Sequence, residues 1–417
     1  MADVSKQRIV ITGMGIVSPV GIGLDAFWTG LLTGRSGAGP ISRFDASEHK
    51  TQFACEVKDF DPKDYMDRKM ARRMDPFCQF AVAASGLAVN MAGLTEGNYE
   101  PDRVGVVYGS GIGGLTTYEP QVNKLAEAGP GKVSPFVIPM LIGDIAAGYI
   151  SMIHQFKGPN YSVQSACATA SNSIGVAAMH LLLGDSDIVV CGGAEAPLTP
   201  TGVAGFNAAM ALSTRNDDPM TASRPFDKNR DGFVMAEGGA TFILETEEHA
   251  RARGAEILAE LAGYGFSGDA YHLTAPAPHG EGAVRSMRAA IRNAGLTSDD
   301  IDYINAHGTS TAYNDSTETE AIKTVFGDRA YKIPISSTKS STGHLLGAAG
   351  GVELAACVQS IRTGKLAPTI NYETPDPDCD LDYVPNTPRE ADVEVALSNT
   401  FGFGGHNATL VVRRYQA

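Results

Sequence analysis

Short runs of β-branched and other apolar residues, each followed by glycine, recur along the chain and set its expected architecture. They lie at residues 9–11 before Gly13-Met14-Gly15, 104–108 before Gly109-Ser110-Gly111, and 188–191 before Gly192-Gly193. Two more lie at 301–304 before Asn305-Ala306-His307-Gly308 and at 395–397 before Phe401-Gly402-Phe403-Gly404-Gly405. Such runs read as buried strands that end in loops. Between them, residues 77–93, 168–183, 283–294 and 351–361 read as helices. Alternating strands and helices predict an α/β fold with functional loops at the strand ends. The passages 187–193 and 300–306 both follow a helix and run from strand into loop, so two similar halves are expected. The polar stretch 245–256 puts their boundary near residue 250, giving halves 1–250 and 251–417.

With 417 residues, 43% hydrophobic and 19% charged, the chain can bury one large core or two, which excludes a disordered class. Residues 1–7 are short, mixed in charge and lead straight into the first strand, which predicts no secretory or transit segment. No apolar run approaches the ~20 residues that span a bilayer. The expectation is a cytoplasmic protein without membrane insertion, its thiols unpaired in a reducing compartment. A net charge of −14 argues against nucleic acid, which binds basic surfaces. An acidic partner would need a local basic patch.

Cys55, Cys78, Cys191, Cys357 and Cys379 lie far apart, form no Cys-x-x-Cys pair and read as small buried hydrophobes. Cys167 differs. It stands in Ser165-Ala166-Cys167-Ala168-Thr169-Ala170, where an extended segment turns into the 168–183 helix. A thiol there sits at the positive end of the helix dipole, which favours thiolate. Three other loops carry groups that such a nucleophile could use. Asn305-Ala306-His307-Gly308-Thr309-Ser310-Thr311 puts His307 at a strand end. Ser336-Ser337-Thr338-Lys339-Ser340-Ser341-Thr342-Gly343-His344 puts His344 near the start of a helix of small residues. Residues 399–407 are rich enough in glycine to bring backbone N–H groups close to a substrate, as half of an oxyanion hole.

Together these motifs resemble the elongating β-ketoacyl-acyl carrier protein synthases of the thiolase superfamily, in particular their type II members. The resemblance runs from Ile11-Thr12-Gly13-Met14-Gly15 to the 399–405 loop. It implies a thiolase-like five-layered fold of two similar βαβαβ-type halves around a shared pair of buried helices. It also implies a decarboxylating Claisen condensation. Cys167 would take an acyl chain from its carrier as a new thioester, by ping-pong chemistry. Malonyl-acyl carrier protein would then lose CO2, and the enolate would attack the acyl-enzyme to give 3-oxoacyl-acyl carrier protein in fatty acid elongation. The backbone N–H groups of Cys167 and Phe403 would hold the first oxyanion. His307 and His344 would donate N–H to the malonyl thioester oxygen, tuned by Lys339 with Glu353 in support.

By the same resemblance Ile112, Phe206, Thr309, Thr311, Phe401 and Phe403 bind substrate, with Phe403 as the gating aromatic. No cofactor is implied and no metal is required, although some relatives hold a monovalent cation near positions matching Asn305, Ala306, Glu353, Ser398 and Asn399. These enzymes are homodimers that act on acyl and malonyl thioesters of acyl carrier protein. His406, which stands where many bacterial relatives have threonine, receives no catalytic role. Lys69, Arg72 and Arg73 form the candidate docking patch, because spacings of three and four fall on one helical face.

Other classes fit less well. Gly109-Ser110-Gly111-Ile112-Gly113-Gly114 satisfies G-x-G-x-x-G, but no clear helix is predicted at Gly114 and no acidic strand end follows at the dinucleotide distance. A chain-length factor would lack the nucleophile, thiolases use a second cysteine, and initiating synthases pair His with Asn. A type II polyketide ketosynthase shares the same residues and stays open.

Overall fold

The computed structural model describes residues 7–417, so most of the 1–7 segment expected to carry no leader lies outside it. Ten strands lie along one sheet path: β1 (Ile9–Ser18), β2 (Val104–Gly109), β3 (Asn160–Tyr161), β4 (Ile188–Glu195), β5 (Gly238–Thr246), β6 (Ala259–Gly268), β7 (Tyr303–Asn305), β8 (Ile335–Ser336), β9 (Val395–Gly402) and β10 (His406–Arg413). The first five run in the order β1-β5-β4-β2-β3 and the second five in the order β6-β10-β9-β7-β8. In both sets the first two pairings are antiparallel and the last two parallel. Every strand therefore has its counterpart five strands further on, which is the expected pair of similar halves. β1 and β6 join them through Val10 opposite Glu260 and Ile11 opposite Ala259.

Six helices matter for the site: α1 (Pro76–Met91), α2 (Leu115–Ala128), α3 (Thr169–Leu183), α4 (Glu281–Asn293), α5 (Ala312–Phe326) and α6 (Ala349–Thr363). α1 packs on β1 and β5, and its counterpart α4 packs on β6 and β10. α3 and α6 pack against each other and against strands of both halves. Their composition suits that place. α6 is buried at every residue from Ala349 to Ile361, and small side chains such as Ala170, Gly175, Gly350 and Gly351 let neighbours approach on all sides. The segment Ala166–Leu183, long and apolar enough to cross a membrane, is this core helix with its preceding turn.

Two of the expected glycine loops are strand interior instead. β1 runs straight through Gly13 and Gly15, and β4 through Gly192 and Gly193. A Cβ on Gly15 would fall 1.9 Å from Ala84 O, and one on Gly13 2.3 Å from Ala88 O, so these glycines let α1 lie against the strand. Gly265 and Gly263 of β6 meet Ser286 O and Ala290 O of α4 at 2.2 and 2.5 Å in the same way. The close approach of outer helix to strand is thus repeated in both halves.

Candidate active site

Cys167 lies in a 3-10 turn, Ala166–Ala168, between β3 and α3. Ala166, before it, has a φ of 50°, a left-handed backbone that costs a non-glycine residue about 1–3 kcal/mol. The second half repeats the device in the turn Leu346–Ala348 before α6, led by Leu346 at a φ of 47°. These two strained turns meet at the centre of the molecule.

Around Cys167 a cavity of about 340 Å3 is lined by Phe206 from the helix Pro200–Ala208, Phe401 from β9, and His307, Thr309, Thr311, His344 and Phe403 from the loops. His344 Nε2 lies 3.1 Å from Cys167 Sγ. The backbone N–H of Leu346 donates to His344 Nδ1 at 3.3 Å, so the ring proton belongs on Nε2, facing the sulfur. His307 is fixed in the same tautomer. Lys339 Nζ donates to His307 Nδ1 at 3.2 Å and to His307 O at 2.6 Å, and pairs with the Glu353 carboxylate. The two imidazoles stand nearly perpendicular, their centroids 5.3 Å apart. Both thus present an Nε2–H donor rather than a base.

Burial and the neighbouring Lys339 charge hold His307 well below its ordinary value, with His344 adding to the effect; burial and Lys339 do the same to His344. Neutral imidazoles follow. The thiol departs from expectation. Although Cys167 is partly exposed where it lines the cavity, burial pushes it up to about 12, against the opposing pull of Lys339. Desolvation thus opposes the thiolate that a helix start favours. The Lys339 charge and the Phe403 N–H favour the thiolate as it forms.

Gly402, at the end of β9, supplies the space above the nucleophile's backbone. A Cβ there would fall 2.8 Å from Ser165 O and 3.1 Å from Cys167 N. Phe403 follows, 37% exposed, its ring 6.4 Å from that of Phe206. Phe401 packs instead on His307, at 5.6 Å between centroids. Ile112 does not line this cavity; it is 39% exposed, and its N–H donates to Glu195 Oε1 at 3.1 Å. His406 also stays outside it.

Lys69, Arg72 and Arg73 are all exposed, but the helix beneath them is only Arg68–Ala71. Asp67 caps its start, so Arg72 is the closing residue and Arg73 lies beyond, its guanidinium 4.7 Å from the Phe136 ring centroid. The shared helical face expected from spacing is shortened to one turn. A helix does open after Gly114, α2, contrary to the sequence expectation. The preceding loop still offers no phosphate cradle, because the N–H groups of Gly111 and Ile112 go to Glu195 and that of Gly113 to Ser110 Oγ.

Sequence reasoning found Glu353 but missed two further carboxylates of the site. Glu318 on α5 accepts the N–H groups of His307 at 2.9 Å and Gly308 at 2.8 Å, and burial lifts it to about 7. Asp269 accepts from Asn407 Nδ2 at 2.6 Å and from Ala277 N at 3.0 Å at the cavity wall. Neither lies in a motif; chain reversal, not spacing, brings them in.

Comparison with known proteins agrees with this geometry. The β-ketoacyl synthase N-terminal domain matches residues 6–250 and the β-ketoacyl synthase C-terminal domain residues 258–373. The chain belongs to the β-ketoacyl synthase family. It is 53% identical over 416 residues to the 3-oxoacyl-[acyl-carrier-protein] synthase 2 of Synechocystis sp., covering 100% of both chains. To the protein of that name from Coxiella burnetii it is 50% identical over 409 residues, 98% of this chain and 99% of that one. Among solved structures, a β-ketoacyl synthase from Burkholderia phymatum aligns with a TM-score of 0.92 at 37% identity, over 98% of this chain and 100% of that one. A type II polyketide acyl-carrier protein in complex with its ketosynthase aligns with a TM-score of 0.92 at 34% identity, with the same coverage.

Proposed function

We propose that this chain elongates fatty acids by condensing an acyl chain, carried on Cys167, with malonyl-acyl carrier protein to give 3-oxoacyl-acyl carrier protein and CO2. The observation that carries the reading is a thiol 3.1 Å from one of two neutral Nε2–H imidazoles in one cavity. In the first half-reaction the sulfur attacks the acyl thioester and the carrier leaves as its thiol. The oxyanion forms over the N–H groups of Cys167 and Phe403, in the space kept by Gly402. In the second, malonyl loses CO2, and the enolate oxygen takes hydrogen bonds from His307 and His344. A preorganised donor of this kind is worth roughly 3 kcal/mol in a closed site. The enolate carbon then attacks the acyl carbon, and the Cys167 thiolate leaves and takes up a proton from solvent.

The acyl chain extends past Phe206, with Ile112 assigned to the far end of its tunnel and Thr309 and Thr311 to the pantetheine arm. Ile112 would join that tunnel on dimerisation. A homodimer is supported by α2, which buries none of its residues, and by Tyr118, Leu125, Ile138 and Met152, which are 45–63% exposed. The acidic carrier docks at Lys69, Arg72 and Arg73, and the enzyme works in the cytoplasm. Fatty acid elongation is preferred over polyketide assembly because relatives named 3-oxoacyl-[acyl-carrier-protein] synthase 2 reach 50–53% identity, against 34% for the ketosynthase solved with a type II polyketide acyl-carrier protein.

A monovalent cation fits beneath the site. Asn305 Oδ1, Glu353 Oε2 and Ser398 Oγ are buried oxygens without a hydrogen-bond partner among the described residues. Ala306 and Asn399 adjoin them; Asn399 Oδ1 already accepts from Thr409, which leaves its backbone. An all-oxygen set with one carboxylate suits a hard cation. When bound it would supply a structural counter-charge to Glu353.

Incubation with acyl-carrier proteins of graded length, then malonyl-carrier protein, tests the function. Carbon–carbon bond formation is expected; its absence, with hydrolysis as the sole fate of the acyl chain, overturns the reading.

A further inference from the structure

The internal duplication places a second copy of the oxyanion-binding turn opposite the first, and the two copies differ in what the neighbouring strand end brings to them. In the active copy β9 ends at Gly402, which leaves the N–H of Cys167 open to the cavity. In the other copy the counterpart strand β4 ends at Glu195, fully buried. Its carboxylate takes the N–H of Gly347, the middle residue of the second turn, at 3.0 Å. The same carboxylate accepts Gly111 N at 2.7 Å, Ile112 N at 3.1 Å and Ser110 Oγ at 2.6 Å. Three backbone donors and a hydroxyl thus converge on one anion, with no Lys or Arg among its hydrogen-bond partners in the described residues, an arrangement otherwise used to bind a ligand's negative oxygen.

Those donors belong to the segments that hold the reacting groups. Gly111 lies against Ala166, the strained residue before Cys167: a Cβ on Gly111 would fall 3.2 Å from Ala166 O and 2.7 Å from Glu195 Oε2. Gly347 follows Leu346, whose N–H fixes the His344 tautomer. One carboxylate therefore ties the backing of the nucleophile turn to the turn that orients His344. We propose that Glu195 fills the silent copy of the oxyanion hole and, by doing so, is a positioning residue that holds Cys167 against His344. The inference rests on the condensing reading of the cavity.

The test is Glu195→Ala, assayed with and without about 0.1 M formate, a carboxylate small enough to enter the vacated space by mass action. Condensation kcat should fall by about a hundredfold, the scale of a 1 Å misplacement, with KM for the acyl-carrier substrate changed less than about twofold. Formate, but not chloride, should restore at least about a tenfold part of that loss. Glu195→Gln, which keeps the shape and fills the space, should show the same split between kcat and KM without formate rescue. It serves if the alanine variant does not fold. A lower melting temperature with unchanged kcat in either variant would make Glu195 a purely structural residue and overturn the proposal. So would a kcat loss in Glu195→Ala that formate leaves untouched while restoring the melting temperature. Wild-type protein run in parallel separates this failure from a failure of the condensing reading, since it alone reports whether the cavity condenses.

Discussion

Replacing Lys339 by methionine probes both the stability of the site and its chemistry. Lys339 is 1% exposed and its ammonium holds the Glu353 carboxylate, His307 O and His307 Nδ1. Methionine keeps an unbranched apolar stem, one atom shorter, but removes the charge and every donor. Glu353 is then a buried anion without its cation, and its second oxygen already lacks a hydrogen-bond partner. Breaking one side of a buried pair costs about 3–5 kcal/mol. Protonation relieves part of that. Burial already lifts Glu353 above the ordinary 4.5, with Lys339 the chief opposing group. With Lys339 gone the folded state holds its proton to higher pH than the unfolded chain. Stability is then fully present below the unfolded value and lost as pH rises through the folded one, at about 1.4 kcal/mol per unit. Urea unfolding should therefore show a deficit relative to wild type that widens as pH rises above the ordinary 4.5. Adding Glu353→Gln should recover most of it, because no buried charge remains. A deficit below about 1 kcal/mol, or one independent of pH, would refute the reasoning. His307 also loses the donor that fixes its tautomer, so malonyl decarboxylation should fall by about 10²–10³.

Other consequences are open to simpler tests. Gly402→Ala puts a methyl 3.1 Å from Cys167 N and 2.8 Å from Ser165 O, so Cys167 acylation followed by rapid quench should slow about a hundredfold. His307 and His344 are held below 6.5 in the fold, so stability is complete above that pH and drains as pH falls beneath it, by about 1.4 kcal/mol per unit for each. Denaturant titrations of His344→Ala should show the shallower acid slope. Charge reversal at Arg72 and Arg73 should raise KM for acyl-carrier protein while sparing small thioester analogues; equal effects on both would remove the docking assignment.

The chain shows its fold through apolar runs and its chemistry through loops at their ends, because both depend on local pattern. Cys167, His307, Lys339 and His344 are readable since each sits in a continuous motif beside a strand or a helix start. Gly13 and Gly15 mislead for a physical reason: glycine serves close helix approach as well as turns, and spacing alone does not separate them. Glu195, Glu318 and Asp269 are invisible in sequence because their roles come from hydrogen-bond donors outside any motif of their own, those of Glu195 from remote backbone. The burial of Cys167 is hidden on the same grounds. A helix start is local and legible, whereas the desolvation that opposes the thiolate is a property of the assembled core.

The most direct test follows the acyl group itself. Acyl-carrier protein is mixed with wild-type and His344→Ala protein, malonyl-carrier protein is added, and the occupancy of Cys167 is followed by peptide mass spectrometry. Both proteins should acquire the acyl adduct on Cys167; wild type should discharge it into 3-oxoacyl product when malonyl-carrier protein arrives, while the variant keeps it. An adduct on any other residue, or discharge by the variant at the wild-type rate, would contradict the division of labour between the thiol and the paired histidines.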